Sequence, residues 1–166
     1  YGYFRPPTHH QLAARLDADG KLAAIEHRQA SGDVAFAFLP NFLAPIMGAD
    51  FGAYRGALIR YAVPSKQTVA YRTELPIRTG WWRGLGLLAN VFAVESFMDE
   101  AAHAAGADPL EFRLRHLDDA VPAQARLKAV LNAAAERGGW NTPVPEGRGR
   151  GIACCLDVDT AVAMVA

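Results

Sequence analysis

The sequence predicts an α+β fold in which about three helices pack on one face of a mainly antiparallel sheet. Three observations indicate this class: two alternating segments joined by a turn at residues 8–29, helical periodicity at residues 87–138, and a strand-like segment at residues 150–166. The chain has 166 residues, of which 51% are hydrophobic, and this is enough for one core. We therefore expect residues 1–166 to form a single globular fragment.

The first predicted element is a hairpin. Residues 8–16 and residues 21–29 each alternate polar and apolar side chains, as a half-buried strand does. Between them lies the sequence Asp-Ala-Asp-Gly at residues 17–20, which supplies the carboxylates and the glycine that tight turns use. We expect the two strands to pair through this turn.

The segment that follows, residues 30–58, has no dominant period. Its apolar side chains are interrupted by Pro40, Pro45 and several glycines, so the sequence predicts a loop with short helical pieces. Long loops without secondary structure are uncommon inside compact domains. We therefore expect this segment to serve a function or an interface.

A strand and a long helix are predicted next. Residues 67–75 read as a strand that Pro76 ends. The helix at residues 87–105 is predicted from apolar positions that recur at spacings of three and four, with Gly106 as its C-terminal cap. The apolar stripe consists of Leu87, Val91, Val94, Met98, Ala101 and Ala105.

Two shorter helices and a strand complete the prediction. Asp108 is placed to cap a short helix that begins with Pro109. A third helix is predicted at residues 122–137, with Gly138 at its end. Residues 152–165 then read as one strand that stops without a turn or cap, so we expect the chain to be a piece of a longer polypeptide.

Composition argues against several kinds of partner. Seventeen basic and 17 acidic residues cancel, which leaves no net field to attract nucleic acid. No run approaches the roughly 18 apolar residues that a membrane span needs, so none is expected in this chain. Cys154 and Cys155 are adjacent in the last predicted strand, where successive side chains face opposite ways; we expect two buried or half-buried thiols without a mutual disulfide.

The junction before the long helix has the residues of an anion site. Its sequence is Gly-Trp-Trp-Arg-Gly-Leu-Gly at residues 80–86. Gly84 and Gly86 allow a ligand to approach the backbone, the first helical N–H groups are free, and Arg83 offers a planar set of donors. We expect the backbone amides between residues 83 and 87, with this guanidinium beside them, to form a cradle for an anion.

A longer set of segments around this junction resembles a known family. The segments that carry the likeness are RPPTHH at residues 5–10, LDADG at residues 16–20, the run from Gly80 to Leu117, and RGRGI at residues 148–152. They resemble the molybdenum-cofactor-binding large subunit of the xanthine dehydrogenase and aldehyde oxidase family, most closely bacterial isoquinoline 1-oxidoreductase beta subunits. The likeness touches most of the chain except residues 30–58.

The resemblance implies a cofactor, a reaction and partners. It implies a molybdenum–pterin cofactor in a dinucleotide form, whose contacts fall on Arg83, Gly84, Leu85 and Gly86. It further implies oxidation of an aldehyde or N-heterocycle with water as the oxygen source; the compartment, bacterial cytoplasm or periplasm, stays open. The implied partners are the rest of the large subunit and a small subunit that carries iron–sulfur clusters.

Three departures from the family pattern refine this expectation. Leu85 stands where xanthine oxidases have a phenylalanine, which argues against a flat purine as substrate because an aromatic face is missing. The family's upstream glycine-rich loop at the metal and its C-terminal glutamate base have no counterpart in this chain. No catalytic or metal-ligating residue is therefore predicted here, and the isolated fragment is expected to be inactive.

Other candidate residues have ordinary structural interpretations. Glu95 lies in the middle of the long helix, and we favour a structural carboxylate held by a loop or an arginine over an acid–base role. Trp81 and Trp82 are expected to pack in the core and at its rim. The five histidines lack the spacing of a metal site.

Two other functions stay open at this point. The chain could be a noncatalytic assembly module that binds a partner through residues 30–58 and the exposed side of the helix at residues 87–105. A nucleotide-binding turn at Gly84-Leu85-Gly86 is a weaker alternative, because a dinucleotide fingerprint needs a third glycine and a downstream acidic residue.

Overall fold

The computed structural model describes residues 3–40 and 42–166 and contains five strands and five α-helices. The strands are β1 (Thr8–Leu16), β2 (Leu22–Ser31), β3 (Ser65–Arg72), β4 (Ile152–Asp157) and β5 (Thr160–Val165). The helices are α1 (Ala44–Met47), α2 (Phe51–Tyr54), α3 (Leu87–Ala104), α4 (Pro109–Leu114) and α5 (Pro122–Arg137). A short 3₁₀ turn occupies Phe36–Phe38.

The predicted α+β class is confirmed, with two small sheets in place of the single sheet expected. One sheet has the strand order β1-β2-β3, and the other consists of β4 and β5. The predicted hairpin at residues 8–29 corresponds to β1 and β2. Its turn forms as its residues indicate: Asp17 accepts backbone N–H groups from Asp19 and Lys21, and Gly20 has a φ of 70°.

The chain divides into two compact units. The first contains the described part of Tyr1–Ala14 together with Ile25–Ile59 and Ser65–Val94. Its interior includes the apolar side chains of Ile25, Val34, Phe36, Ala57 and Ile59. The second contains Arg15–Ala24, Arg60–Pro64 and Glu95–Ala166. That the chain forms one globular fragment stays a prediction.

A buried carboxylate organises the segment at residues 30–58 in the first unit. Asp50 caps α2 by accepting the N–H groups of Gly52 and Ala53. The same carboxylate accepts three further backbone N–H groups, from Val34, Ala35 and Phe36, at 2.8, 3.0 and 2.9 Å. Short helices therefore form in this segment as predicted, because one side chain satisfies the donors of two turns.

Local capping chemistry sets the helix bounds of the second unit. The side chain of Asp108 accepts the N–H groups of Leu110 and Glu111, which starts α4 as predicted. Gly106 ends α3 with a φ of 62°, and α5 runs over residues 122–137 as predicted. Helix α5 packs on β4 and β5, and the buried core includes Met98, Phe112, Leu127, Leu131 and Ile152.

The prediction of one strand at residues 152–165 is wrong. The segment folds back at Val158 and Asp159, whose φ values are 42° and 62°, so that β4 and β5 pair in antiparallel register with Asp157 opposite Thr160. Two left-handed residues form the two-residue loop that matches strand twist. The usual glycine or asparagine signal is missing from the first loop position, because a valine occupies it.

Candidate functional site

The turn that precedes α3 places Arg83 at the surface of the first unit. The N–H of Leu85 donates to Trp82 O at 2.8 Å, which closes a four-residue turn. Gly84 occupies the third position of this turn with a φ of 79°, as a type II turn requires. Leu85 follows with a φ of 54°, which is uncommon for a residue with a side chain. Successive left-handed residues therefore shape the start of α3.

The cradle expected from the amides between residues 83 and 87 is wrong for three of them. The N–H groups of Leu85, Gly86 and Leu87 all donate to backbone carbonyls, the last two to Gly52 O at 2.9 Å and Gly84 O at 3.0 Å. A backbone donor that turns into protein takes a protein acceptor, because an unpaired buried N–H is costly. Within the part of the chain that the structure describes, the N–H of Gly84 has no such acceptor.

The two glycines of the turn have different roles. A Cβ at Gly86 would lie 2.4 Å from Ala53 O and 2.8 Å from Gly52 O, so this glycine permits contact between two backbone segments of the protein. A Cβ at Gly84 would meet only Leu87 Cβ, at 3.8 Å. Gly84 is therefore required for its positive φ alone, and the space beside it is open.

The side chain of Arg83 is exposed, and it has no hydrogen-bond or ion-pair partner among the described residues. All five guanidinium donors are thus available to a ligand. Trp81 and Trp82 beside it are 52% and 56% exposed, so the expected packing of these rings in the core is wrong. Trp81 contacts Phe38 edge-on with a centroid distance of 5.5 Å. The turn therefore presents a cation and two aromatic rings to solvent.

A second arginine, which sequence reasoning did not assign, holds the turn from behind. Arg5 Nη1 donates to Leu85 O and Arg5 Nη2 donates to Arg83 O, both at 2.9 Å. The resemblance included Arg5, but nothing in the sequence connected it with the turn, because Arg5 and Arg83 are 78 positions apart. One guanidinium therefore fixes two carbonyls on either side of Gly84.

A buried amide side chain fixes the first turn of α3. Asn90 Nδ2 donates to Ala53 O at 2.8 Å and to Arg55 O at 2.9 Å, while Asn90 Oδ1 is buried without a hydrogen-bond partner among the described residues. These donors, with the bond from Gly86 to Gly52, tie the start of α3 to the end of α2. The N–H groups of Leu88 and Ala89 in this first turn lack backbone acceptors in the described chain, as is usual at a helix start.

The other candidate region is a buried cluster around Glu95 in the second unit. Glu95 Oε2 accepts Arg113 Nε at 3.0 Å and the backbone N–H of Cys154 at 2.9 Å, and Glu95 Oε1 accepts the Tyr61 hydroxyl at 2.8 Å. Arg113 is fully buried and also donates to Asp99 Oδ1 at 2.7 Å. The prediction that Glu95 is a structural carboxylate held by an arginine is confirmed.

The thiol and the phenol of this cluster are held in their neutral forms. Burial and the charge of Glu95 raise the pKa of the Cys154 thiol to about 12 and that of the Tyr61 hydroxyl well above its usual range. A thiol that stays protonated is a poor nucleophile. Cys154 is buried and Cys155 is half-buried, as predicted, and the cluster stabilises structure without reactive groups.

The imidazoles of three histidines form hydrogen bonds within the protein. His27 is buried and lies 3.0 Å from His10, nitrogen to nitrogen, while its Nδ1 lies 2.9 Å from Ala57 O. His116 Nε2 accepts the N–H of Leu22 at 2.9 Å. Burial lowers the pKa of all three imidazoles.

Two pockets of the first unit lie apart from the turn. One of about 60 Å³ is lined by Gln29 and Asp50, and one of about 430 Å³ by Tyr3, Arg72 and Arg78, and neither is lined by residues 83–86.

Among residues 3–40 and 42–166, no group of three or more His, Cys, Asp or Glu side chains is arranged to hold a metal ion. Over the same residues, no helix is long and apolar enough to cross a membrane.

Comparison with known proteins relates this chain to one family. Residues 2–117 match the molybdopterin cofactor-binding domain. The chain is 42% identical over 134 residues to the B subunit of nicotinate dehydrogenase from Pseudomonas putida, covering 78% of this chain and 11% of that protein. It is 29% identical over 141 residues to the beta subunit of isoquinoline 1-oxidoreductase from Brevundimonas diminuta, covering 82% of this chain and 18% of the relative.

A solved structure supports the same fold. Quinoline 2-oxidoreductase from Pseudomonas putida 86 superimposes with a TM-score of 0.61 and 22% sequence identity. The match covers 89% of this chain and 21% of that one. This chain therefore spans about a tenth to a fifth of the length of the relatives it matches.

Proposed function

This chain belongs to the molybdopterin cofactor-binding domain family, and we propose that it forms one wall of the cofactor pocket in the large subunit of a molybdenum hydroxylase. The observation that carries the proposal is the exposed turn at Arg83, whose guanidinium and neighbouring Gly84 N–H have no partner in the described chain. Unpartnered cationic and N–H donors at one turn suit the phosphate or pterin oxygens of such a cofactor.

The donors present fit the anionic part of the cofactor. Arg83 supplies the charge and the planar donor set, and Gly84 supplies a backbone N–H beside open space. The N–H of Leu85 already donates within the protein, so only its side chain is left to contact the cofactor. Gly86 allows close packing on Gly52. Arg83 and Gly84 thus bind and orient, and Leu85 and Gly86 hold the turn in shape.

The wider reaction is proposed from the family. The bound molybdenum–pterin cofactor, in a dinucleotide form, supplies the oxidation of an aldehyde or N-heterocycle with water as the oxygen source. A small partner subunit that carries iron–sulfur clusters would accept the electrons. Two relatives are named for N-heterocycles, isoquinoline and nicotinate, which supports that substrate class. The 166-residue chain alone is expected to show no turnover, because it covers only 18% and 11% of the length of two relatives that it matches.

Anion binding tests the role of Arg83 without the whole enzyme. Pyrophosphate, a stand-in for the cofactor's phosphates, is titrated into the chain while its tryptophan fluorescence is followed, to which Trp81 and Trp82 beside Arg83 contribute. We expect saturable binding, and about a tenfold to hundredfold weaker affinity in Arg83→Ala, as is typical for a lost charge-assisted hydrogen bond. Arg78→Ala is the matched control, because Arg78 is also exposed and lies outside the turn.

The control decides between a site and a general charge effect. An equal loss of affinity in Arg78→Ala and Arg83→Ala would mean that pyrophosphate responds only to net charge. No saturable binding to the unaltered chain would contradict the proposed pocket wall directly. A loss confined to Arg83→Ala supports it.

A second candidate function, a noncatalytic assembly module, is favoured by exposed apolar side chains in the first unit. Ile46 and Phe42 in residues 30–58 are 76% and 69% exposed, and Phe92 and Leu88 on α3 are 74% and 64% exposed. Such side chains are typical of interfaces. Sedimentation velocity separates the two functions: an assembly module self-associates to the same extent with and without the Arg83→Ala substitution, and its association is lost in Phe92→Ser.

A further inference from the structure

Arg5 is the side chain that binds the two carbonyls on either side of Gly84. Its two terminal nitrogens each donate to a carbonyl of the turn, Arg83 O and Leu85 O, at 2.9 Å. We propose that Arg5 is a positioning residue that aims the free N–H of Gly84 at the anionic part of the cofactor. This inference rests on the proposed function of the turn.

The geometry of the peptide unit fixes where each N–H of the turn points. In a planar trans peptide, the C=O of one residue and the N–H of the next point in opposite directions. Arg83 O points at Arg5 Nη2, so the N–H of Gly84 points away from Arg5. By the same rule Leu85 O points at Arg5, and the N–H of Gly86 points away from it, toward Gly52 O. One of the two aimed N–H groups is thus used by the protein and the other is left for a ligand.

The peptide between Arg83 and Gly84 has an alternative orientation. A four-residue turn exists in two common forms, type I and type II, that differ mainly by rotation of its central peptide. Gly84 has the positive φ of type II, and glycine adopts positive and negative φ with similar ease. The residue itself therefore does not decide between the forms, and the hydrogen bond from Arg5 to Arg83 O selects one of them.

The backbone of the N-terminal segment gives Arg5 a fixed base. Phe4 N–H donates to Arg78 O at 2.9 Å, and Gly80 N–H donates to Phe4 O at 3.1 Å. Phe4 also pairs with Thr79 in a parallel bridge. The residue next to Arg5 is therefore attached to the chain just before the turn, and the side chain of Arg5 spans the remaining distance to the two carbonyls.

The test measures the direction of the Gly84 N–H bond. In the ¹⁵N-labelled chain, residual dipolar couplings are compared among the unaltered protein, Arg5→Ala and Arg5→Lys. Lysine keeps the charge but places a single ammonium where two donors were. Arg28→Ala is the control, because Arg28 is an exposed arginine paired with Glu26 and it makes no contact with the turn. Each variant is also titrated with pyrophosphate.

We expect the Gly84 coupling to change in Arg5→Ala and Arg5→Lys, while couplings in the part of β2 that lies in the first unit stay the same and show that this unit is folded. Pyrophosphate affinity should fall about tenfold in both variants, in proportion to one lost charge-assisted hydrogen bond. Arg28→Ala should leave the coupling and the affinity unchanged. If Arg5→Ala folds poorly, the Gly84 coupling and the pyrophosphate affinity can still be measured in Arg5→Lys, because this variant retains the charge and the long side chain.

Two outcomes separate this inference from the proposed function. An unchanged Gly84 coupling in Arg5→Lys and Arg5→Ala overturns the positioning role, whatever pyrophosphate does. A changed coupling together with no pyrophosphate binding to the unaltered chain supports the aiming role and counts against the proposed function alone. Full affinity in Arg5→Lys with a changed coupling overturns the claim that aiming matters for binding.

Discussion

Two arginines of this chain have opposite surroundings, and comparing them shows how a structural arginine differs from one that is available to bind a ligand. Arg113, in the second unit, is fully buried and donates to Glu95, Asp99 and the carbonyl of Pro109. Arg83, in the first unit, is exposed and has no partner among the described residues. The chain itself satisfies the first guanidinium and leaves the second available.

The contrast extends to the groups around each arginine. Glu95 uses both carboxylate oxygens on partners within the protein, including the N–H of Cys154. At the turn, Gly84 keeps an N–H without an acceptor in the described chain. A saturated polar cluster binds a ligand only by breaking existing hydrogen bonds, whereas an unsaturated one gains hydrogen bonds. Saturation therefore indicates a structural role for the Glu95 cluster, and the lack of it at the turn supports the binding role that we propose there.

The largest expected effect is loss of the buried arginine. Arg113→Ala leaves Glu95 buried without its charge partner, and we expect the free energy of unfolding to fall by about 3–5 kcal/mol. Urea unfolding followed by circular dichroism measures this change. The matched variant Arg83→Ala should change stability by less than about 0.5 kcal/mol, because its side chain is exposed. Equal effects of both substitutions would remove the distinction between the two arginines.

The next effect compares the two glycines of the turn. Gly86→Ala places a Cβ against Ala53 O, and the clash should lower the free energy of unfolding by about 1–3 kcal/mol. Gly84→Ala meets no close atom and incurs only the cost of its positive φ, about 1 kcal/mol. Thermal unfolding of both variants checks the order. A larger loss in Gly84→Ala would contradict the assignment of close packing to Gly86.

A smaller effect depends on pH and on the buried histidines. Burial lowers the pKa of His27 and His116 in the folded state. The unfolded chain therefore binds more protons than the folded chain as the pH falls below about 6.5. Stability is therefore complete above that pH and is lost toward pH 5, by at most about 1.4 kcal/mol per histidine per pH unit. Urea midpoints at pH 7.5 and 5.5 measure it.

A variant of an exposed histidine provides the control for pH. His103→Gln should leave the pH dependence intact, because His103 is at the surface, whereas His27→Gln should reduce it. Stability that is equal or higher at pH 5.5 would contradict the buried neutral imidazoles.

The smallest effect is expected from a substitution outside the turn at Arg83, which should raise the free energy of unfolding. Val158 is 80% exposed and holds a φ of 42°, which is unfavourable for a β-branched residue. Val158→Gly should relieve this strain and raise the free energy of unfolding by about 1 kcal/mol, as measured by thermal unfolding. Pyrophosphate affinity should not change. A loss of affinity in this variant would weaken the claim that binding is local to the Arg83 turn.

Local chemistry made part of the fold predictable from sequence. Asp108, Pro109 and Gly106 act through neighbours within a few residues, so they indicated the end of α3 and the start of α4 correctly. The reversal at Val158 was not predictable, because the loop lacks the residues that usually signal such a turn. At this position the pairing of β4 with β5 outweighs the preference of valine for negative φ.

The exposure of the turn at Arg83 was predictable from the sequence, whereas the hydrogen bonds of the turn were not. Arg83 between glycines indicated an exposed cation at a turn, and the structure agrees. Which amides remain free depends on Gly52 and Arg5, which are distant along the chain and meet the turn only in the folded unit. The structural role of Glu95 was predictable, because a carboxylate beside an apolar stripe needs a partner wherever that partner lies in sequence.

Amide hydrogen exchange tests the contrast between the two regions most directly. Exchange rates of the N–H groups of Gly84 and Cys154 are measured by NMR with and without saturating pyrophosphate. We predict fast exchange at Gly84 that slows when pyrophosphate binds, and slow exchange at Cys154 in both conditions, because Glu95 already accepts that N–H. A Gly84 rate that pyrophosphate does not alter, or that is already as slow as that of Cys154, would contradict a binding role for the turn.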